Sequence, residues 1–380
     1  HMLGYSDDAM AARWFQLGCF SPINRLHSSN SGFTSKEPWR YSRDARATME
    51  AHLRLRHRLV PYLYTWARRS AGEGIAPVRP VYHDHPRELA AYEHRGSFFF
   101  GDLLVVPFTS PLDVATGLGR ELTWLPDGVW YDLPTGRRYE ATTGGRGRML
   151  SLSRPLDRIG VLARAGSVIP LAGNLTEAAG DNPRELEIVV VPGGSGSFTL
   201  EEDDGSAQPG QDQIARTHMA LTWPEAEEED GADVVLRIRL EGAAEVVPAS
   251  RLVTVRLLAG QVAGAWLGVG ERARRLATEE VSGDGFTLGA GTLVHLEELS
   301  RQELIDGVQL VLRGTKHSPA DWRDEVHAIL DAARVEYMAK DLAWDAVQRG
   351  LSGTALLGEL EALGLPETLR AAVAEVLPHS

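Results

Sequence analysis

The chain has 380 residues, 43% of them hydrophobic, with 39 Lys and Arg against 52 Asp and Glu and a net charge of −13. That is apolar material for about two to four packed domains, and its acidic balance excludes the basic footprint that nucleic acid or an anionic membrane surface would need. A single cysteine, Cys19, excludes an internal disulfide and any cysteine-based metal spacing, and a reducing, cytoplasmic setting is expected.

The stretch 1–39 reads as helix, short strand, then a loop crowded with polar groups. Ser6 can cap a helix whose first turn holds Asp7 and Asp8. Ala9, Ala12, Phe15, Gln16 and Cys19 recur at helical spacing, and Gly18 and Pro22 stop the run. Arg25, His27, Ser28, Ser29 and Asn30 follow, a polar set of the kind that β/α barrels carry at the C-terminal ends of their strands. Residues 42–70 read as one long helix with Ser42 as cap and a stripe of Met49, Leu53, Leu59, Val60, Leu63 and Tyr64. Pro61 should kink that helix or start a new one, and Gly72 and Gly74 end it.

From 76 onward the character is extended. Phe98 to Phe108 is dense enough for a buried strand. Turn signals at Pro126-Asp127-Gly128, Pro134-Thr135-Gly136, Gly144-Gly145 and Ala165-Gly166 then divide 103–172 into short strands, a sandwich pattern. A polar connector over 173–185 leads to a second β block, 186–298, in which Val234–Leu240 and Val253–Leu258 alternate. Gly193-Gly194 is read there as a hairpin turn, and the acidic run 225–230 as a solvated loop. After about 300 the period becomes helical. Ser318-Pro319 opens a helix with Trp322, Val326, Ile329, Leu330 and Ala333 on one face, and helices at 338–349, 353–363 and 366–377 follow. No stretch of about 18 apolar residues occurs, so no membrane-spanning helix is expected.

The motifs RW-x-Q-x-G-x-FSP-x-x-R-x-H (13–27) and EPW (37–39) resemble the last barrel segments of glycoside hydrolase family 31, which includes α-glucosidases and α-xylosidases. LRLRHRLVPYLYTWA (53–67), APVRPVYHDHP (76–86), FFFGDLLVVPF (98–108), LPDGVWYDLPTG (125–136), PLDRIGVLARAGSVIPL (155–171) and GSFTLEEDDGS (196–206) continue the resemblance in the family's order. It implies a fold that is α/β plus all-β: the C-terminal segments of a (β/α)8 barrel over 1–100, then β-sandwiches over 101–172 and 186–298. The helical extension over 301–380 lies outside the resemblance and rests on its periodicity alone. Helix 42–70 would be the barrel's last.

The implied activity is that of a retaining α-glycosidase on terminal α-linked glucosides or xylosides, with no cofactor and no metal. An oligosaccharide or small glycoside would be its substrate, nucleic acid and membrane are excluded as partners, and a homo-oligomer stays open. Both catalytic aspartates of the family lie upstream of the segment that opens this chain, which would then be inactive alone. Its first 90 or so residues, helix 42–70 included, would be poorly protected.

By the same resemblance His27 contacts the sugar at the cleavage subsite. Arg25, two residues away and on the same face of a strand, would hold a carboxylate of the site or make a structural ion pair under the loop. His1-Met2 matches an apolar or aromatic wall beside the sugar, or is a cloning remnant. Trp39 is read as packing the loop ahead of stacking on sugar, Arg13 and Trp14 as packing and ion-pair residues, and Asp84 and His85 as structural groups in a connector. Glu201–Gly205 lacks the ligand spacing of a calcium loop, so a turn is the better reading. A non-catalytic carbohydrate-binding or assembly module is the rival class, and an interaction protein acting through 318–380 a third. The extension 318–380, beyond the resemblance, is expected to be dispensable for chemistry.

Overall fold

The computed structural model describes residues 5–206, 209–224, 232–268, 270 and 273–378. The first described segment is helical. Helix α1 (Asp8–Cys19) is capped by Asp7 rather than Ser6, since it is the Asp7 carboxylate that accepts the Met10 N–H at 2.9 Å. The short strand expected after it does not form, and residues 24–29 are irregular. After a 3-10 turn at Pro38–Arg40 come α2 (Arg43–Arg58) and α3 (Val60–Glu73). Pro61 starts the second of these, where its missing N–H and fixed φ fit the first turn. Gly74 ends it at φ 73°, a left-handed value that suits glycine.

Six short strands make the first sheet, in the order β1-β2-β3-β8-β5-β6. They are β1 (Val78–Pro80), β2 (Phe98–Phe100), β3 (Leu103–Val106), β5 (Val129–Asp132), β6 (Arg138–Glu140) and β8 (Gly160–Arg164). Between them β4 (Gly119–Leu125) and β7 (Arg148–Arg154) pair as a separate ribbon. The sheet therefore begins at Val78, inside the segment assigned to the barrel, because Val78–Pro80 runs antiparallel to Phe98–Phe100. Two short helices, α4 (Val81–Asp84) and α5 (Leu89–Glu93), bridge those two strands.

Strands β2 and β3 are apolar at every position because the sheet is buried on both faces. Phe99, Leu104, Val106, Trp130 and Leu162 point to the ribbon residues Trp124, Leu125, Leu150 and Leu152. Their alternates Phe100, Leu103, Val105, Tyr131, Val161 and Ala163 join a larger core on the other side. This is strand periodicity of two with both halves used.

That larger core also holds Leu55 of α2, Leu59 between the helices, and Tyr62 and Trp66 of α3, together with the inner face of the second sheet. The helix stripe is thus covered by the chain's own β structure, contrary to the expectation that only absent barrel elements could protect it. The stripe is also rotated from the expected one, and Leu53 and Tyr64 sit at its exposed margin.

The second sheet runs β11-β12-β13-β19-β16-β17-β18-β14-β10-β9, with β15 (Gly260–Gln261) paired to β19. Its strands are β9 (Val168–Ala172), β10 (Glu185–Val190), β11 (Gly196–Glu202), β12 (Ala215–Thr222), β13 (Ala232–Gly242), β14 (Ser250–Leu258), β16 (Gly264–Leu267), β17 (Arg274–Val281), β18 (Gly291–Ser300) and β19 (Val308–His317). The first and last strands of this path, β11 and β9, touch, so the sheet nearly closes on itself. Val234, Leu236, Ile238 and Leu240 point inward together, as their alternation predicts.

Two expectations fail here. Gly193-Gly194 is not a hairpin turn, because β10 pairs with β9 and β14 while β11 pairs with β12. The segment is a crossover pressed against the Ala165–Gly166 backbone, and a Cβ on Gly196 would lie 2.3 Å from the Gly166 carbonyl oxygen. Nor does the sheet stop at 298: β19 lies between β13 and β16, and only the short helix α6 (Arg301–Asp306) precedes it. The acidic run 225–230 lies outside the described residues.

The terminal helices are α7 (Trp322–Ala332), α8 (Tyr337–Gln348), α9 (Gly353–Ala362) and α10 (Glu367–Val376). Asp321, not the Ser318-Pro319 pair, caps α7 through the Arg323 N–H at 2.9 Å. Val326, Leu330 and Ala333 line the bundle's own core with Leu356, Leu360, Leu369 and Val373.

Candidate functional site

The polar loop 21–37 is rooted by one residue of α2. Arg56 donates from Nη1 to the carbonyls of Cys19 (3.1 Å) and Ser21 (2.5 Å), and from Nη2 to that of Pro22 (2.8 Å). Three carbonyls on one guanidinium fix how the chain leaves α1. Asp8 adds a second tie by accepting the Ser42 N–H at 2.8 Å. Further along, the Ser29 and Thr34 hydroxyls meet at 2.9 Å.

Arg25 and His27 lie between these fixed points on irregular backbone, both exposed. Neither is paired with a carboxylate or hydrogen-bonded through its side chain among the described residues, so any ligand they hold must come from elsewhere. His1 lies outside the described residues. Phe33 is 95% exposed, Trp14 74% and Trp39 66%. Trp39 and Trp14 are therefore not packed as expected, and with Tyr5, Met10 and Ile23 they leave much apolar surface around the loop.

Arg13 does pack, but on backbone rather than in an ion pair. It donates to the carbonyls of Arg154, Pro155 and Arg158 and lies over the Phe108 ring. Burial lowers its pKa to about 10.

The other polar sets are used internally. Arg79 grips Asp84 with Nε and Nη2 at 2.9–3.1 Å and lies over the rings of Trp66 and Phe99. Burial opposes ionisation of Asp84, yet Arg79 holds its carboxyl below the usual carboxylate range. His85 meets the Trp124 ring edge-on at 5.3 Å. Both side chains thus have partners within the fold. Glu202 of the acidic stretch 201–205 is paired inside the second sheet with Arg251, and Asp203 accepts from the Tyr64 hydroxyl. No group of three or more His, Cys, Asp or Glu among the described residues is arranged to hold a metal ion. No described helix is long and apolar enough to cross a membrane.

Behind the loop root lie two buried titratable groups that spacing alone does not reveal. The Cys19 thiol, pushed by burial up to about 12 despite Arg56, donates to the His52 carbonyl at 3.3 Å. His52 bonds the Thr48 carbonyl through Nδ1 at 2.8 Å, and burial lowers its pKa to about 4. Between pH 6.5 and about 4 the unfolded chain therefore binds a proton at His52 that the folded chain does not. Stability must fall as pH falls through that window, by about 3 kcal/mol, and no further below it. Denaturant titrations should show the His52→Gln variant lacking this component; equal pH slopes in both proteins would contradict the assignment.

Two segments of the chain match models of known protein families. Residues 2–66 match the Glycosyl hydrolases family 31 TIM-barrel domain, and residues 74–169 the Glycosyl hydrolase family 31 C-terminal domain. An α-xylosidase of Saccharolobus solfataricus is 30% identical over 220 residues, which are 57% of this chain and 28% of that protein. Mouse lysosomal α-glucosidase is 26% identical over 258 residues, 63% of this chain and 26% of its own length. The chain thus spans about a quarter of the curated relatives it matches.

Among solved structures, a family 31 α-xylosidase of Xanthomonas citri superposes with a TM-score of 0.54 at 26% identity, over 66% of this chain and 26% of its own. A Flavobacterium johnsoniae family 31 dextranase superposes with a TM-score of 0.63 over 81% of this chain and 37% of its own. Its 20% identity speaks for the fold alone.

Proposed function

Because residues 2–66 and 74–169 belong to glycoside hydrolase family 31, we propose that the chain is the C-terminal part of a retaining α-glycosidase acting on terminal α-linked glucosides or xylosides. The observation that carries this reading is the Arg25-x-His27 loop, fixed at its root by Arg56 and exposed at its tip. In its neutral form an imidazole donates from one nitrogen and accepts at the other, which suits a sugar hydroxyl. A guanidinium two residues away suits a carboxylate. The reaction needs two carboxylates about 5–5.5 Å apart, one as nucleophile and one as acid/base. In this reading they come from the upstream barrel strands, which also cover Trp14, Phe33 and Trp39.

The test is His27→Ala in the full-length protein, assayed on aryl α-glucosides and α-xylosides beside the 380-residue chain. Losing one hydrogen bond in a desolvated site costs about 1–3 kcal/mol. The variant should therefore lose roughly 10- to 100-fold in kcat/KM. If the bond strengthens as positive charge builds on the sugar ring, kcat falls as well as KM rising. His85→Ala, compared at equal folded fraction, should keep its kinetics, and the 380-residue chain should show no turnover. Wild-type kinetics for His27→Ala would remove the loop from the site, and turnover by the short chain would sink the reading.

A further inference from the structure

The terminal helices are attached to the first sheet and the β4–β7 ribbon by a buried charge cluster that the proposed activity does not use. Glu375 on α10 accepts from Arg154 Nη1 at 2.6 Å, from the Tyr139 hydroxyl at 2.6 Å and from Arg137 Nη1 at 3.2 Å. Its other oxygen accepts the Ser153 N–H at 2.6 Å. Arg154 continues to Asp132 at 2.9 Å, and Arg137 to Glu325 on α7. The side chains of Arg154, Glu375 and Asp132 are 3%, 2% and 0% exposed. Burial works against ionisation of Glu375, but Arg154 and Arg137 outweigh it and hold the carboxyl below its ordinary range. Around this centre Arg120 pairs with Glu367, and the Thr368 hydroxyl donates to Asp113.

The same short stretch of chain is gripped from α1. Arg13 donates to the carbonyls of Arg154 (3.1 Å), Pro155 (2.9 Å) and Arg158 (2.5 Å), and Gln16 Nε2 to that of Leu156 (2.9 Å). Residues 153–158 therefore sit between a carboxylate from the last helix and a guanidinium from the first. Helix α1 runs directly into the Arg56-held root of the Arg25–His27 loop.

We propose that Glu375 is a positioning residue: through residues 153–158, the terminal helical unit sets the seat of α1 and so the placing of the Arg25–His27 loop. This gives the extension a role in place of the dispensability expected for it. The proposal rests on the glycosidase reading only for what the loop would bind. Its core claim, that α10 and α1 are coupled, stands apart from any sugar.

Amide hydrogen exchange on the 380-residue chain tests the coupling. Glu375→Gln keeps the side-chain shape but removes the charge and turns a donor toward the Ser153 N–H. It should speed exchange of the Phe15–Cys19 amides at least tenfold and leave β10 and β14 unchanged. Glu367→Gln, which breaks only an exposed pair at the same seam, should leave α1 unchanged. If Glu375→Gln loosens α7–α10 while α1 exchanges at the wild-type rate, the proposal is overturned.

Should Glu375→Gln unfold the bundle, Arg13→Lys gives the converse reading without touching it. Coupling is reciprocal, so exchange over the last turn of α10 should rise, and an unchanged α10 would overturn the proposal equally. Neither arm involves a sugar. Coupled helices with an inert His27→Ala would therefore fault the glycosidase reading and not this one.

Discussion

Arg251→Met should lower the unfolding free energy by about 3–5 kcal/mol, the usual cost of stranding one partner of a buried ion pair. Arg251 on β14 and Glu202 on β11 are 1% and 3% exposed. Arg251 Nη1 donates to Glu202 Oε2 at 2.8 Å and Nη2 to Oε1, a two-pronged contact. The two strands are not neighbours in the sheet, so the pair spans its interior. Methionine fills the arginine stem but leaves the Glu202 carboxylate in a dry core. Protonation or partial unfolding is then its only relief. The double variant Arg251→Met/Glu202→Leu should recover most of the loss, since well-packed apolar residues replace such pairs at little cost. Guanidinium denaturation of the three proteins checks this. A single-variant cost under about 1 kcal/mol, or a double variant no better than the single, would contradict it.

Tyr62→Ala should cost a similar amount, about 3–5 kcal/mol, because it empties the joint between α3 and both sheets. The Tyr62 ring stacks on Phe198 at 5.2 Å and lies 6.1 Å from Phe100 and 6.4 Å from Trp66, centroid to centroid. Its hydroxyl accepts the Asp102 N–H at 2.7 Å. The turn before Asp102 needs glycine: Gly101 has φ 60°, and a Cβ there would lie 2.3 Å from that hydroxyl. Tyr62→Phe removes only the hydroxyl, which also donates to the Phe100 carbonyl at 3.4 Å, and should cost about 1–2 kcal/mol. In the wild-type chain the same packing predicts slow amide exchange through Leu55–Trp66, measurable without any further domain. Fast exchange there, or equal costs for the two substitutions, would mean that the joint is looser than its contacts imply.

Much of the local structure was legible in the sequence because it depends on nearby residues. The alternation of Val234 to Leu240, the one-sided face of Val326, Leu330 and Ala333, and the glycine stop after α3 each follow from the geometry of a single element. Caps slipped by a place or more, from Ser6 to Asp7 and from Ser318-Pro319 to Asp321, since adjacent polar residues compete for the same N–H groups. Strand β19 was hidden in plain view. Val308, Leu310 and Leu312 alternate, but ten residues between helical segments carry too little periodicity to assert themselves. The Arg25-x-His27 motif was visible as residues, while its root was not: Arg56 lies 35 residues from Ser21 and spells nothing at that distance.

What the sequence by itself determined, then, is which residues prefer helix or strand, which face of each is apolar, and the family likeness carried by residues 2–66 and 74–169. The tertiary structure alone decided which faces meet. The apolar stripe of α2 and α3 could have faced a barrel or a sheet, and chain path, not periodicity, chose the sheet. Glu375 shows the limit most clearly. On its helix it reads as one more acidic surface residue, yet it is buried among Arg137, Tyr139, Ser153 and Arg154, more than 200 residues away. The reason is physical. Hydrophobic periodicity records a one-dimensional preference for one side of an element. Compensation of a buried charge needs a specific partner in three dimensions, and the spacing of residues along the chain does not name it.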